Sequence, residues 1–196
     1  SIIVIVLAEL LGQLITTNSA YNDAVSSMQK KNYETAIEEF TKLKGYRDSE
    51  DKKRECQYLL AKQYIDEGYY EDAREIFRKL KDYKDCPDQI IECNYLEAKD
   101  CIDNGDYEKA RKLLSEMTDY KDTGDLLKKC DFEEAKEKCE YDGIADQIKE
   151  IMKIKDYEPA KEYCMDLIKK EVESDIDSEE YDDAIKLLEE VSEYID

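Results

Sequence analysis

No histidine occurs among the 196 residues, so any chemistry here must come from carboxylates, lysine, tyrosine or cysteine. A Ser-His-Asp triad and every His-ligated metal site are excluded. Seven cysteines are the next candidates: Cys56, Cys86, Cys93, Cys101, Cys130, Cys139 and Cys164. Their number is odd and no CxxC pair occurs, which argues against a disulfide framework and a thiolate metal cage. Cys56, Cys93 and Cys130 recur at a fixed spacing, and Cys139 falls where the same frame has Met28, Ile65 and Ile102. Such positions read as small apolar core sites with reduced thiols. Cys86, at a capping position, and Cys101, near a turn, are expected to be exposed. Acids are abundant enough for two-carboxylate hydrolysis, but that needs a closed pocket with perturbed carboxyls. The sequence therefore assigns no catalytic residue, no metal and no cofactor, and the expectation is a protein that is not an enzyme.

The elements that would position these residues form a repeat. Tyr21, Tyr58, Tyr95 and Phe132 are spaced by 37 residues, followed three residues later by Ala24, Ala61, Ala98 and Ala135. Tyr33, Tyr70, Tyr107, Ile144 and Tyr181 form a third register, with Ala36, Ala73, Ala110, Gln147 and Ala184 behind them. Phe40, Phe77, Leu114, Ile151 and Leu188 follow, then Leu43, Leu80, Met117, Ile154 and Val191, and last Tyr46, Tyr83, Tyr120, Tyr157 and Tyr194. The frame runs from Tyr21 to the C-terminus without insertion or deletion. Within a unit, Tyr33, Ala36, Ile37, Phe40 and Leu43 lie on one helical face, and so do Tyr58, Ala61, Tyr64 and Ile65. Each unit is thus two antiparallel helices, in an all-α fold of about five pairs. Gly68 and Gly105 suit the left-handed residue after a helix end.

The link between units is Tyr-x-Asp and a small residue: Tyr46-Arg-Asp48-Ser49, Tyr83-Lys-Asp85-Cys86 and Tyr120-Lys-Asp122-Thr123. Asp, Ser and Thr there are expected to cap the next helix, and Pro87 suits its first turn. The units span 21–57, 58–94, 95–131, a degenerate 132–168 with Ile144, Gln147 and Pro159, and a partial 169–196 closing on Tyr194-Ile195-Asp196.

The run Ala61, Gly68, Tyr70, Ala73, Phe77 and Leu80, repeated from Ala98 to Met117, resembles the tetratricopeptide repeat signature. It departs in its period, 37 and not 34, and in having Asp48, Asp85 and Asp122 in place of a terminal proline. First helices beginning near Ser49, Pro87 and Asp122 would account for the extra length. The Tyr-Lys-Asp joint is similar to repeats of membrane-anchored proteins from anaerobic Gram-positive bacteria. The resemblance implies a right-handed superhelical solenoid whose first helices line a concave face that binds peptides. Carried over by position, the groove residues are Tyr58, Lys62, Ile65 and Asp66, then Tyr95, Lys99, Ile102 and Asp103, then Phe132, Lys136 and Glu140. Lys62, Lys99 and Lys136 would form a ladder that holds a carboxylate or acidic peptide. The alternative is that the lysines are solvated and neutralise nearby acids while the aromatics belong to the core.

Residues 1–20 are unlike the remainder: Ser1-Ile-Ile-Val-Ile-Val-Leu-Ala8 is apolar, and Glu9 is the one charge. Extended to Ile15 the segment is still shorter than the roughly 20 residues of a bilayer span. It reads as the end of a transmembrane helix, a packed N-terminal helix running into the first unit, or a signal-peptide remnant. The remainder carries nearly all of the net charge of −21. No basic patch offsets it, which disfavours nucleic acid. The function expected is a protein- or peptide-binding scaffold, membrane-associated and extracytoplasmic, with a cytoplasmic location as the alternative. A second reading is self-assembly, the apolar arm docking on a neighbouring array to give a homo-oligomer.

Overall fold

The structure is a computed structural model that describes residues 2–117, 119–154 and 156–195, with Ile195 described by its backbone alone. Ser1, at the head of the apolar segment, and Asp196, at the end of the final joint, lie outside the described residues. Among the described residues there are ten α-helices and no strand. Packing divides the chain into two compact units, residues 1–97 and 98–196, with the division inside the fifth helix.

The first unit holds α1 (Ile2–Gln29), α2 (Tyr33–Lys42), α3 (Ser49–Asp66), α4 (Tyr70–Leu80) and most of α5 (Cys86–Asp103). The expected boundary at residue 20 falls inside α1, which runs unbroken from the apolar segment into the first repeat. Ala24 of α1, Tyr33, Ala36 and Phe40 of α2, and Cys56 and Leu60 of α3 make one core. Ala61, Ile65, Ala73, Phe77, Cys86 and Cys93 make the next. Alanine at Ala24, Ala36, Ala61 and Ala73 is fully buried, which lets paired helices approach closely. The second unit holds the end of α5 with α6 (Tyr107–Ser115), α7 (Thr123–Lys138), α8 (Ile144–Ile151), α9 (Glu158–Asp177) and α10 (Tyr181–Ile195). Its core joins Phe132 and Ala135, Ile148 and Ile151, Ala160, Cys164 and Ile168, and Val191.

Helix starts keep the beat of the sequence. α2, α4, α6, α8 and α10 begin at Tyr33, Tyr70, Tyr107, Ile144 and Tyr181, and α3, α5 and α7 at Ser49, Cys86 and Thr123. Gly68 and Gly105 have φ of +81° and +79°, as a residue beyond a helix end requires. Two cysteines differ from expectation: Cys86 and Cys101 are buried, as are the other five. Cys86 shares its repeat position with the buried Ser49 and Thr123, so the small residue fills the joint core and does not face solvent.

The joint also differs from the capping expectation. Asp48 and Asp122 sit at the N-caps of α3 and α7, yet neither carboxylate accepts a helix amide. Instead the Tyr21 hydroxyl donates to Asp48 Oδ1 at 2.5 Å and the Tyr58 hydroxyl to Asp85 Oδ1 at 2.7 Å. The Tyr58 ring meets Phe77 and Tyr83 edge-on at 5.8 and 6.1 Å, and Tyr21 repeats this with Phe40 and Tyr46. The residue between Tyr and Asp is left-handed in all three joints: Arg47, Lys84 and Lys121 have φ of 53°, 51° and 46°. This turn lays Arg47 over the Tyr21 ring at 5.0 Å and Lys84 over Tyr58 at 4.5 Å, a cation on an aromatic face.

Candidate functional site

Residues predicted to line a groove divide sharply by burial. Ile65, Tyr95, Ile102 and Phe132 are buried. Ile65 shares the core of Phe77 and Cys93, and Phe132 packs its ring against Tyr157 and Tyr163 at 5.8 and 5.5 Å. Their side chains build the core of the repeat and expose little surface. Tyr58 is half-buried in the joint, where burial and then its bond to Asp85 push the phenol up to about 12. Asp66 and Asp103 are the exposed last residues of α3 and α5, and Glu140 is exposed in the turn after α7.

The lysines of the ladder fall in both units, Lys62 in the first and Lys99 and Lys136 in the second. Lys62 is half-buried and donates to Gln89 Oε1 of α5 at 2.8 Å. Lys136 donates to Glu133 at 2.9 Å and lies over the rings of Phe132 and Tyr163 at 5.0 and 5.2 Å. That bond, outweighing burial, raises the Lys136 ammonium above its ordinary value. Lys99 is exposed. Lys62 and Lys136 are thus held by the chain's own groups, so an anionic partner would have to compete for them.

Sequence reasoning missed a second recurring arrangement. Arg74 of α4 is 6% exposed and meets Glu97 of α5 at 2.6 Å, Asn94 at 2.9 Å and Glu71 at 2.6 Å. One repeat later, Arg111 of α6 meets Asp131 at 2.8 Å and Glu134 at 2.9 Å on α7. The signal lay in the frame, for Arg74 and Arg111 are 37 residues apart and their partners stand at the same two offsets. The guanidinium holds the Glu134 carboxyl below the usual range. Its role is to couple a second helix to the first helix that follows.

Among the described residues no three Cys, Asp or Glu side chains converge as metal ligands would. Acids do gather between α8, α9 and α10, where Asp146, Glu171, Asp175, Glu180, Asp183 and Glu190 line an open cleft of about 460 Å³ with Lys186 among them.

The most unusual surface is α1. Ile2 to Leu7, Leu10, Leu11, Leu14 and Ile15 are all exposed, Ile2 by 81% and Ile15 by 63%, and they point to every side of the helix. Residues 2–15 are exposed throughout among the described residues. α1 is the one described helix long and apolar enough to cross a membrane by length and composition. Comparison of the chain with protein-family models, curated proteins and solved structures finds no match.

Proposed function

We propose that the chain is a non-catalytic scaffold of tetratricopeptide-like helix pairs that binds a protein or peptide partner and is held at a membrane by the apolar half of α1. One observation carries the reading: residues 2–15 expose apolar side chains all round a helix whose other half, from Ala24, is locked into the core of the first repeat. Burial of such residues contributes about 1.5–3 kcal/mol each, and no part of the described chain supplies it. A lipid phase supplies it for the whole circumference at once. Because the helix is continuous, the apolar half carries the array as a rigid extension. For partner contact the predicted face offers Lys62, Asp66, Lys99, Asp103, Lys136 and Glu140, and the solenoid reading gains support from helix starts that repeat at one interval.

Flotation with phosphatidylcholine vesicles tests the anchor. The full chain should rise with the vesicles, and a chain lacking residues 2–11 should stay at the bottom of the gradient with its helical melt unchanged. Neutral lipid is the right probe, since anionic headgroups would repel an array of this charge. A full chain that stays with the protein-only fraction ends the proposal.

A further inference from the structure

A cleft between α1 and α2 is lined by charges that do not neutralise one another. Thr16, Ala20 and Asp23 border it from α1, Glu39 and Lys42 from α2, and Lys44 from the turn that follows, around about 420 Å³ of open space. Glu39 Oε2 is buried and has no hydrogen-bond partner among the described residues. Among those residues no ion pair joins Asp23 or Glu39 to Lys42 or Lys44.

The repeat does not require a carboxylate here. The positions of Glu39 in the next two units are Ile76 and Leu113, both half-buried. An acid where the fold elsewhere puts an apolar side chain is costly unless a partner offsets it. Three repeats on, the same frame shows such an offset. Asp131, Glu134, Glu150 and Lys153 line a cleft of about 400 Å³ between α7 and α8. There Glu150 pairs with Lys153, while Asp131 and Glu134 pair with Arg111 of α6. Asp23 has no such arginine, for the turn that would bring one is absent. The positions of Tyr46, Arg47, Asp48 and Ser49 are Glu9, Leu10, Leu11 and Gly12, all inside α1.

Placement says what could fill the cleft. α1 and α2 run antiparallel through the turn at residues 30–32, so Thr16 and Lys44 lie at one end, beside the apolar half of α1. Asp23 stands seven residues beyond Thr16, about 10 Å farther along the helix. Glu39 likewise lies farther from that end than Lys42 and Lys44. Counted from the apolar half, the cations come first and the carboxylates second. A phospholipid headgroup has the same order with opposite charges, its phosphate next to the acyl chains and its amine beyond.

We propose that this cleft receives the headgroup of phosphatidylethanolamine, with the phosphate against Lys42 and Lys44 and the ammonium against Glu39 and Asp23. The inference rests on the membrane reading of α1, which sets Thr16 at the lipid surface. A primary ammonium brings three N–H donors to a carboxylate that lacks one. The quaternary amine of phosphatidylcholine brings none. Both lipids are net neutral, so the charge of the array disfavours neither. The anchor thus holds the chain to a bilayer, and the cleft adds a preference for one headgroup.

Amide NMR of the full chain in non-ionic detergent micelles gives the test. Short-chain phosphatidylethanolamine should shift the Ala20, Leu43 and Lys44 amides saturably. Phosphatidylcholine of the same chain length should need about five times the concentration for half-saturation, because it lacks the charge-assisted donors. Glu39→Gln, which keeps the size of the side chain and removes its charge, should bring the two lipids level. Lys42→Gln with Lys44→Gln should weaken both by the same factor, and helical melts should confirm that the variants fold. Equal half-saturation in wild type overturns the proposal, as does a preference that survives Glu39→Gln, or the absence of any shift at these amides. Inorganic phosphate that shifts the same amides at the same concentration also overturns it, as the sign of a free-anion site. Flotation of Glu39→Gln with phosphatidylcholine vesicles should match wild type, so failure of the headgroup site and failure of the anchor read out separately.

Discussion

At the scale of single residues, the joint shows how a sequence position can be legible and its role not. Asp after Tyr-x before a helix is the local signature of a cap. In the fold, the Asp85 carboxylate accepts the Tyr58 hydroxyl and Gln89 Nε2. Those bonds, the Tyr58 one foremost, hold its carboxyl below the usual range. Capping is read from neighbours three residues apart, whereas this phenol arrives from the preceding first helix 27 residues earlier. A constant interval was visible, Tyr21 to Asp48 and Tyr58 to Asp85, but nothing local marks it as a contact. Tyr58→Phe separates the two roles, because it keeps the ring between Phe77 and Tyr83 and removes only the donor. The expected loss is about 1 kcal/mol in chemical denaturation. Carboxyl titration by NMR should show Asp85 moving up toward its ordinary value. If Asp85 acted only as a cap, the substitution would leave both measurements unchanged.

At the scale of elements, helix ends were legible wherever they depend on backbone chemistry. Four helices close with the same pair of bonds, in which Asn32, Tyr69, Asp106 and Glu180 donate to Ser27, Tyr64, Cys101 and Asp175. The residue before each is left-handed: Lys31, Gly68, Gly105 and Glu179. Glycine adopts this conformation freely, while a side chain there costs about 1–2 kcal/mol. Lys31→Gly should therefore stabilise the fold. The greater freedom of glycine in the unfolded chain offsets part of the gain, leaving a net 0.5–1 kcal/mol or about 2 °C in Tm. Gly68→Ala should shift Tm the other way, by conformation alone, since a Cβ there meets nothing within 4 Å. A thermal melt that falls for Lys31→Gly would contradict this account of the turn. Register in the fourth unit was not legible. The frame puts Leu167 at the core position of Cys130, yet Leu167 is half-buried while Cys164 and Ile168 are buried. α7 ends early at Lys138, Gly143 is extended, and Pro159 sits in the first turn of α9. Together these shift which face of α9 turns inward, an effect set by helix length and not by the spacing of apolar residues. Burial of Ile65, Tyr95, Ile102 and Phe132 was not legible for a related reason: periodicity marks the face of a helix that is shared, without saying whether its neighbour is solvent or another helix.

At the scale of the whole molecule, two electrostatic effects oppose one another as pH falls. A net charge of −21 repels itself, so protonating solvated surface acids relieves the compact state. Against this stand carboxyls held below their ordinary values in the fold. Asp48 and Asp85 are lowered chiefly by tyrosine hydroxyls, Glu71 by Arg74 and Arg78, and Glu134 by Arg111. Glu55 is lowered too, its burial outweighed by bonds from Lys84 and Tyr83. For such groups the unfolded chain binds protons more readily, so their contribution is complete above the unfolded values of 3.8 and 4.5 and is lost as pH falls through the folded ones. Thermal melts at constant ionic strength should therefore show Tm rising modestly from pH 7 toward about 5, then falling below about 4. Added salt should raise Tm at pH 7 by screening the repulsion, with a smaller effect near the maximum. The joints and the arginine couplings recur along the chain, so one acid transition should report on all of them. A Tm that kept climbing down to pH 3 would mean that self-repulsion outweighs every one of these bonds. The tyrosine–aspartate joints would then contribute geometry to the repeat and little stability.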